Sequence, residues 1–193
     1  KIYVCHLKLI LHKVRVGEPF MIKTINNFYS NDQSQTIFNF IIKSMFKIGW
    51  EDSDEPQHKA YPNIHSAYSK EEVDKIKVLP PILKEMKLSE KHYDKCVINL
   101  TKPMDVNFIH VHPGQIVALY FANITWNPEW GGETLFYKKD RKTVELCSPY
   151  TPNRLIIFDG KIPHTIKSQN LIGPAYRFTM SVFFNKEIYW RNK

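Results

Sequence analysis

The sequence predicts a mainly β fold of the α+β type, an antiparallel sandwich or jelly roll with supporting helices in its N-terminal part. The prediction depends on a change of pattern near residue 95. Before that point apolar residues recur at helical spacing, and after it short β-rich runs alternate with turn signals. No helical pattern separates these runs, so antiparallel strands are expected rather than parallel strands with helical crossovers.

The first helix is the clearest element of the N-terminal part. Asn31 or Asp32 can cap it, and its apolar residues recur at three- and four-residue steps as far as Phe46. Gly49 lies where such a helix would stop. The start of the chain, Lys1–Val16, alternates basic and apolar residues, which is typical of a strand.

Two shorter helices are expected before the β-rich part. Ser69 and Glu72 have the spacing of a capping box, so the second helix starts at Ser69. The third starts at Pro81, where the missing N–H costs no helical hydrogen bond. The polar stretch Glu51–Ala67 between the first two helices is expected to be a loop.

The β-rich part extends to about residue 185, with turns at sequences such as Pro113-Gly114 and Asp159-Gly160. Its seven predicted strands are Cys96–Thr101, Asn107–His112, Gln115–Asn123, Glu133–Tyr137, Arg154–Phe158, Thr165–Lys167 and Arg177–Asn185. We therefore expect one domain over residues 1–193, in which a mostly helical support (1–94) carries a β core (95–185).

The composition limits the classes of protein and partner. The 27 Lys and Arg against 19 Asp and Glu give a net charge of +8, but the excess is diffuse, so nucleic acid stays open as a partner without being favoured. The 3 cysteines are widely spaced and form no Cys-x-x-Cys pair, which favours a reducing compartment such as the cytoplasm. No apolar run reaches the roughly 18 residues that span a bilayer, so no membrane association is expected.

Histidines at the end of a predicted strand are the first candidates for chemistry. His110 and His112 are two residues apart, and alternate residues of a strand share a face, so both imidazoles can bind one metal ion. His164 follows 52 residues after His112, just beyond the turn at Asp159-Gly160. A plain polar face is the alternative interpretation of the His110-Val-His112 pair.

The last predicted strand carries a second candidate site. Arg177, Thr179 and Ser181 alternate along it and therefore share one face. A guanidinium flanked by hydroxyls suits a carboxylate, with charge-assisted hydrogen bonds of about 1.5–3 kcal/mol each. The sequence thus indicates a carboxylate-binding strand next to the histidine strands.

Five motifs follow one another between about Lys95 and Phe184. They are His110-Val-His112, Leu119-Tyr-Phe-Ala-Asn123 with Trp126, Trp130-Gly-Gly-Glu-Thr134, Arg154-Leu-Ile-Ile-Phe-Asp-Gly160 leading to His164, and Arg177-Phe-Thr-Met-Ser181. In this order and spacing they resemble the Fe(II)- and 2-oxoglutarate-dependent dioxygenases, in particular the prolyl-4-hydroxylase-like branch.

The resemblance implies a double-stranded β-helix that uses Fe(II), 2-oxoglutarate and O2 to hydroxylate an unactivated C–H bond. It implies a protein, peptide or amino-acid-like substrate, with a prolyl residue as the default. His110 and His164 would bind the metal, with His112 at the position of the third ligand. The residues implied to hold 2-oxoglutarate are Arg177 at its distal carboxylate, Thr179 or Ser181 beside it, and Thr134 and Leu119 along the pocket.

Two positions depart from the family pattern. His112 stands where the family has an aspartate, the carboxylate of a set of two histidines and one carboxylate. Four outcomes are open: a three-histidine iron site, a site in which another ligand replaces His112, recruitment of Glu133 or Asp105, or an inactive site. Phe121 stands where the family often has a tyrosine that helps to hold 2-oxoglutarate, and the adjacent Tyr120 should face the other way.

Other interpretations stay open at this point. His92-Tyr-Asp94 is a literal His-x-Asp motif, but it falls between a predicted helix and a predicted strand, where no sheet fixes the side-chain direction. A three-histidine metal dioxygenase that does not use 2-oxoglutarate is a second function, although it would have no diacid for Arg177 to hold. A non-catalytic jelly-roll binding protein is the third.

Overall fold

The computed structural model of the protein describes residues 22–50 and 56–186, and the strand expected in Lys1–Val16 lies outside these residues. Four α-helices and ten strands are described, with short 3-10 helices at Glu90–His92 and Pro128–Trp130. The helices are α1 (Asn31–Ile42), α2 (Pro56–Lys59), α3 (Lys70–Lys75) and α4 (Leu79–Met86). The strands are β1 (Ile22–Ile25), β2 (Lys47–Trp50), β3 (Asn63–Tyr68), β4 (Tyr93–Thr101), β5 (Gln115–Phe121), β6 (Thr134–Tyr137), β7 (Val144–Ser148), β8 (Leu155–Asp159), β9 (His164–Ile166) and β10 (Arg177–Asn185).

The strands form two antiparallel sheets. The main sheet has the order β1-β8-β5-β10-β4-β3-β2, and the small sheet has the order β7-β6-β9. Phe136 of β6 and Phe158 of β8 pack edge to face across the space between them, with ring centroids 5.0 Å apart. The expected mainly β jelly roll with supporting helices is therefore confirmed.

The two faces of the main sheet have different neighbours. Even-numbered residues of β5 and β10 pack with residues of α1, α3 and α4 such as Ile37, Val73 and Ile82. Burial of each of these side chains stabilises the fold by about 1.5–3 kcal/mol. Odd-numbered residues of the same strands face the small sheet. Every candidate residue on β5 and β10 has an odd number and thus lies in the space between the sheets.

The first helix is shorter than its periodicity predicts. Ser30, rather than Asn31 or Asp32, is the N-cap, and its hydroxyl accepts the N–H of Gln33 at 3.2 Å. The helix ends at Ile42, and the expected stop at Gly49 is wrong because Lys47–Trp50 pairs with β3 instead. Hydrogen bonds between strands override the helical spacing of the apolar residues here. The capping box at Ser69 is confirmed, and the helix expected from Pro81 begins at Leu79.

The loop expected over Glu51–Ala67 is wrong for its second half. Residues 56–59 form α2, and β3 pairs with β4 over five residues, so it is a full member of the main sheet. The polar residues that suggest a loop include Asn63, which lines a cleft between the sheets. The polarity of Asn63 thus reflects its place in the cleft, and residues 51–55 of the expected loop lie outside the described residues.

Six of the seven strands predicted in the β-rich part are confirmed as β4, β5, β6, β8, β9 and β10. The exception is Asn107–His112, which forms no strand and whose strand-like pairing is limited to an isolated bridge between His110 and His164. The strand β7 was not predicted because most of its residues are exposed and no alternation marks it. None of the described helices has both the length and the apolar character that a membrane span requires.

Candidate metal and carboxylate site

Three imidazoles meet in the cleft between the sheets. His110 and His112 lie in the connection from β4 to β5, and His164 begins β9. Their possible ligand atoms all lie within 4.8 Å of one another, and their ring centroids are 4.4–5.3 Å apart. Within residues 22–50 and 56–186 this is the only group of three His, Cys, Asp or Glu side chains placed in this way.

Backbone hydrogen bonds fix all three histidines. The N–H of His110 donates to the carbonyl of His164, and the N–H of His164 donates to the carbonyl of His110, both at 3.0 Å. The N–H of His112 donates to the carbonyl of Gly160 at 2.6 Å. A Cβ at Gly160 would overlap the His112 carbonyl oxygen and lie 2.9 Å from the Gln115 carbonyl oxygen. Only glycine permits this close approach of the two segments.

The ring nitrogens of two histidines are oriented by carbonyls. Nδ1 of His110 bonds the carbonyl of Phe108 at 3.0 Å, and Nδ1 of His164 bonds the carbonyl of Ile162 at 2.8 Å. Because a carbonyl only accepts hydrogen bonds, Nδ1 carries the proton and Nε2 carries the lone pair. This is the arrangement that metal-binding histidines commonly show.

Burial keeps two of these imidazoles neutral. The pKa of His112 is lowered to about 3, chiefly by burial and further by the neighbouring His110 and Lys95. Burial, with smaller contributions from His110 and His112, lowers the pKa of His164 well below its ordinary value. A neutral imidazole is the form that binds a metal, so both rings are in the binding form at neutral pH.

The carboxylates that could bind a metal in place of His112 do not belong to the histidine group. Asp105 accepts the backbone N–H of Lys102 at 2.7 Å, and Asp94 accepts from the Gln115 side chain at 2.5 Å. His92 is buried at a 3-10 helix, where its ring contacts Ser89. Glu133 also lies outside the described cluster, which is therefore a set of three histidines. Imidazole ligands suit iron, zinc, copper and nickel.

Arg177 is a buried cation without a carboxylate partner among the described residues. Its Nε donates to the Gly132 carbonyl at 3.0 Å, and its guanidinium lies 4.6 Å from the ring centroid of Tyr150. Its two terminal nitrogens are buried and find no hydrogen-bond partner in the described part of the chain. Burial, opposed in part by Tyr150 and Glu133, lowers its pKa to about 10, so the group is still charged at neutral pH.

Two hydroxyls near this cation are also unsatisfied. The Oγ1 atoms of Thr179 on β10 and Thr134 on β6 are buried, and neither has a hydrogen-bond partner among the described residues. An unpaired buried charge costs several kcal/mol, and each unpaired buried hydroxyl costs about 1–3 kcal/mol. These groups fit an anionic ligand that accepts their hydrogen bonds.

The cleft places the remaining predicted residues beside the histidines. Leu119 and Ser181 line it together with all three imidazoles. Its empty volume is about 640 Å³, part of which is open to solvent. The structure thus brings the predicted metal residues and two of the predicted co-substrate residues to one cleft, whereas Arg177, Thr179 and Thr134 lie in the wall beyond it.

Two residues that matter to the anion pocket were not predicted. Tyr150 stacks on Phe121 with centroids 4.6 Å apart, and both rings lie against the Arg177 guanidinium. Tyr150 lies two residues after the end of β7, and no spacing in the sequence marks it. Gly132 has a φ of 85°, and a Cβ there would lie 2.9 Å from Trp126 and 3.2 Å from Nε of Arg177. In the sequence, the adjacent glycines at 131 and 132 are the feature that indicates such a close approach of the backbone.

Tyr120 lies as predicted on the opposite face of the main sheet. Its hydroxyl is 3.0 Å from Oγ of Ser34 on α1, within the helix-covered core. On its cleft side, β5 therefore carries Phe121 and no tyrosine hydroxyl.

Comparison with known proteins finds no protein-family model and no curated protein that matches the sequence. Solved structures do match. A prolyl hydroxylase from Trichoplax adhaerens, in complex with a hypoxia inducible factor peptide fragment, is 19% identical (TM-score 0.56), covering 86% of this chain and 84% of that one. A Pseudomonas putida prolyl-4-hydroxylase is 13% identical (TM-score 0.58), covering 85% and 92%.

A third match is HygX from Streptomyces hygroscopicus, whose structure contains nickel and 2-oxoglutarate. It is 8% identical (TM-score 0.61), covering 85% of this chain and 82% of that one. An oxidoreductase of the 2OG-Fe(II) oxygenase family from Burkholderia pseudomallei is 9% identical with a TM-score of 0.63. The chain therefore has the double-stranded β-helix fold of the 2-oxoglutarate- and Fe(II)-dependent oxygenases.

Proposed function

We propose that this protein is a prolyl-hydroxylase-like oxygenase that uses Fe(II), 2-oxoglutarate and O2 to hydroxylate an unactivated C–H bond of a protein, peptide or amino-acid-like substrate. One observation carries the proposal: imidazoles that can bind one metal ion line the cleft between the sheets, and a buried guanidinium, whose terminal nitrogens have no described hydrogen-bond partner, lies in the wall beyond that cleft. A metal site alone would not need the cation, and an anion site alone would not need the histidines. The fold supports the combination, since solved oxygenases of this kind share it.

His110, His112 and His164 would hold the iron. The iron, with 2-oxoglutarate and O2 bound, supplies the oxidising power for hydroxylation. The chain contributes fixed geometry, because the reciprocal hydrogen bonds of His110 and His164 and the bond from His112 to Gly160 hold three ligands from two distant segments. Rings positioned in this way need little rearrangement when a metal binds.

Arg177 would pair with the distal carboxylate of 2-oxoglutarate. Its two terminal nitrogens can donate in parallel to one carboxylate, the geometry in which guanidinium groups bind most strongly. The hydroxyls of Thr179 and Thr134 come from opposite sheets and would donate to the same group. Leu119 and Ser181 would line the path of the diacid between Arg177 and the histidines.

The two described cysteines support the expected reducing compartment. Cys96 is buried and Cys147 is exposed, and both are free thiols. A reducing compartment such as the cytoplasm would keep them in this form.

The proposal is tested by incubating the purified protein with Fe(II) and 2-oxoglutarate in air and measuring succinate. We expect slow succinate release without substrate, and faster release when a substrate is present. Zinc in place of iron should give none. If the iron-loaded protein binds 2-oxoglutarate but forms no succinate with any candidate substrate, the binding-protein interpretation replaces the enzyme.

The same measurement separates the second candidate enzyme. A three-histidine dioxygenase without 2-oxoglutarate would consume O2 in the absence of the diacid, and substitution of Arg177 would leave that consumption unchanged. The buried cation argues against this alternative, since it would then have no ligand to neutralise it.

A further inference from the structure

The cleft that contains the histidines is lined by uncharged groups. Its lining consists of histidines, asparagines, hydroxyl residues and apolar side chains, and none of the described lining residues is Lys, Arg, Asp or Glu. Bringing an ammonium into such a cleft costs its hydration without a carboxylate in the described lining to compensate, whereas an anion would have Lys95 nearby, whose Nζ lies 5.2 Å from the ring centroid of Phe183. Arg177, the cation in the wall, is already assigned to the co-substrate in the proposed function.

Among the polar residues of this cleft that the proposed function leaves unused, which are Asn63, Asn99, Thr101 and Asn107, Asn99 on β4 has a buried side-chain atom without a described hydrogen-bond partner. It faces the cleft, and its Oδ1 is buried and has no hydrogen-bond partner among the described residues. Buried polar atoms of a native protein nearly always have a partner, which can be a ligand. A carboxamide oxygen accepts hydrogen bonds, so the missing partner is a donor such as an N–H group.

The position of Asn99 separates it from the co-substrate pocket. In the sheet it is paired with Thr179 on β10, but Thr179 lies in the wall while Asn99 lines the open cleft. On its other side it is paired with His65 on β3, the strand that also carries Asn63 of the lining. The carboxamide thus lies between the carboxylate pocket and the strand that forms the outer part of the cleft.

A depression continues from the cleft at Asn63. Asn63 lines both spaces, and the second is lined by the apolar Ile48, Tyr61 and Val106, which are 73%, 55% and 46% exposed, and by the charged Lys102 and Asp105. Its empty volume is about 630 Å³. A molecule that reaches from the histidines past Asn99 would therefore have apolar contacts for its next segment, beside one ammonium and one carboxylate.

We propose that Asn99 is the substrate-recognition residue of the cleft and that it accepts a hydrogen bond from an uncharged amide N–H of the substrate. This inference rests on the proposed function and narrows its substrate class to a residue within an amide-linked chain. A free amino acid would bring an ammonium, and none of the described residues that line the cleft is a carboxylate that could pair with it. Nucleic acid is the other outcome that the test separates.

The test measures binding to protein loaded with Zn(II) and 2-oxoglutarate, so that no turnover intervenes. The probe is an equimolar mixture of tripeptides with N-acetyl and C-amide ends and each amino acid at the centre. The other two arms are the free amino acids and a twelve-residue oligothymidylate. Saturation-transfer NMR reports probe binding, and calorimetry reports the affinity for 2-oxoglutarate in the same samples.

We expect the capped tripeptides to bind and the other two arms not to bind. Asn99→Ala should weaken tripeptide binding at least about tenfold, or about 1.4 kcal/mol, with the affinity for 2-oxoglutarate unchanged. Asn39→Ala, the same substitution on the exposed face of α1, should change neither. Asn99→Leu fills the volume of the carboxamide without its polar atoms. If Asn99→Ala does not fold, Asn99→Leu should show the same loss of tripeptide binding.

The contrary results are distinct. The inference would be overturned if free amino acids or the oligonucleotide bind more tightly than the tripeptides, or if the tripeptides do not bind. It would also be overturned if the Asn99 variants bind the tripeptides as tightly as the unmodified protein does. A loss of 2-oxoglutarate affinity instead would assign Asn99 to the co-substrate. If the unmodified protein binds neither Zn(II) nor 2-oxoglutarate, the proposed function fails before any probe is added, and this inference fails with it.

Discussion

His112 gives the site its distinctive charge. With three neutral imidazoles, a bound divalent metal keeps its full +2 charge, whereas a carboxylate ligand would neutralise part of it. The dianion 2-oxoglutarate would then supply the missing negative charge. We therefore expect the metal and 2-oxoglutarate to strengthen each other's binding more in this protein than in a variant that carries a carboxylate at position 112.

Substitution of His112 tests this residue directly. His112→Ala should lower the affinity for Fe(II) or Ni(II) at least about tenfold, because one of three ligands is lost. His112→Asp should retain the metal but reduce the effect of 2-oxoglutarate on metal affinity. Calorimetric titration with and without the diacid measures both. His92→Ala is the control, since His92 lies outside the cluster, and an equal loss in that variant would refute the assignment.

Arg177 should determine the affinity for the diacid and not that for the metal. Arg177→Ala removes the buried cation and should weaken 2-oxoglutarate binding about a hundredfold, in line with the 2–5 kcal/mol typical of a buried charge pair. Arg177→Lys should not restore it, because an ammonium cannot donate in the parallel geometry. Titration with 2-oxoglutarate checks this, with Arg154→Ala as the matched control. Equal affinity in the Arg177 and Arg154 variants would contradict the assignment.

At the scale of the element, the turn between β8 and β9 controls the histidine connection. The carbonyl of Gly160 accepts the N–H of His112, and Asp159 accepts from the ammonium of Lys186 at 2.5 Å. This turn therefore joins the end of β10, the start of β5 and the segment that carries His112. A change here should reach the metal site without replacing a ligand.

Gly160→Ala tests this coupling. The new Cβ would overlap backbone atoms, which cannot move aside as a flexible side chain can, so the segment of His112 must shift. We expect a lower thermal midpoint and at least a tenfold loss of metal affinity. Gly114→Ala is the matched control, because a Cβ there meets no atom within 4 Å and only its φ of 77° is strained. That variant should lose about 1 kcal/mol of stability but keep its metal affinity. Equal metal affinity in both variants would refute the coupling.

Elements with a strong local signal were predictable from the sequence. The alternation along β10 correctly separates Arg177, Thr179 and Ser181 from the residues that pack on the helices, and Ser69 with Glu72 correctly marks α3. The strand β3 was missed because its cleft-facing residues are polar. The histidine connection was predicted as a strand, but its only sheet-like contact is made by His110 with a residue 54 positions later, which no local pattern can report.

At the scale of the molecule, the order of the motifs predicts that the histidines lie in one cleft. It does not predict which other residues surround Arg177 and the cleft. Tyr150 lies against Arg177 in the segment between β7 and β8, and such a tertiary contact leaves no periodicity. Asn99 is an ordinary strand residue in the sequence. Its lack of a partner becomes visible only when β10 and β3 are placed beside it.

Ligands should stabilise the whole molecule in two successive steps. Metal would bind groups from the β4–β5 connection and β9, and the diacid would bind groups from both sheets, so each ligand would link segments that separate on unfolding. At a hundredfold excess over its dissociation constant each ligand stabilises the folded state by about 2.7 kcal/mol. Thermal unfolding with Ni(II), and then with Ni(II) and 2-oxoglutarate, should show two increases in the midpoint. Arg177→Ala should lose only the second, and loss of both or neither would contradict the division of the site.

The reciprocal hydrogen bonds between His110 and His164 also have a kinetic consequence. They join two points 54 residues apart in the chain, and most of the small sheet lies in between. Contacts of long sequence separation form slowly, because the loop must close before they stabilise anything. We therefore expect the three imidazoles to converge late in folding, after the intervening strands β5, β6 and β8 have formed. Capture of a coloured metal ion during refolding would report the last stage of assembly.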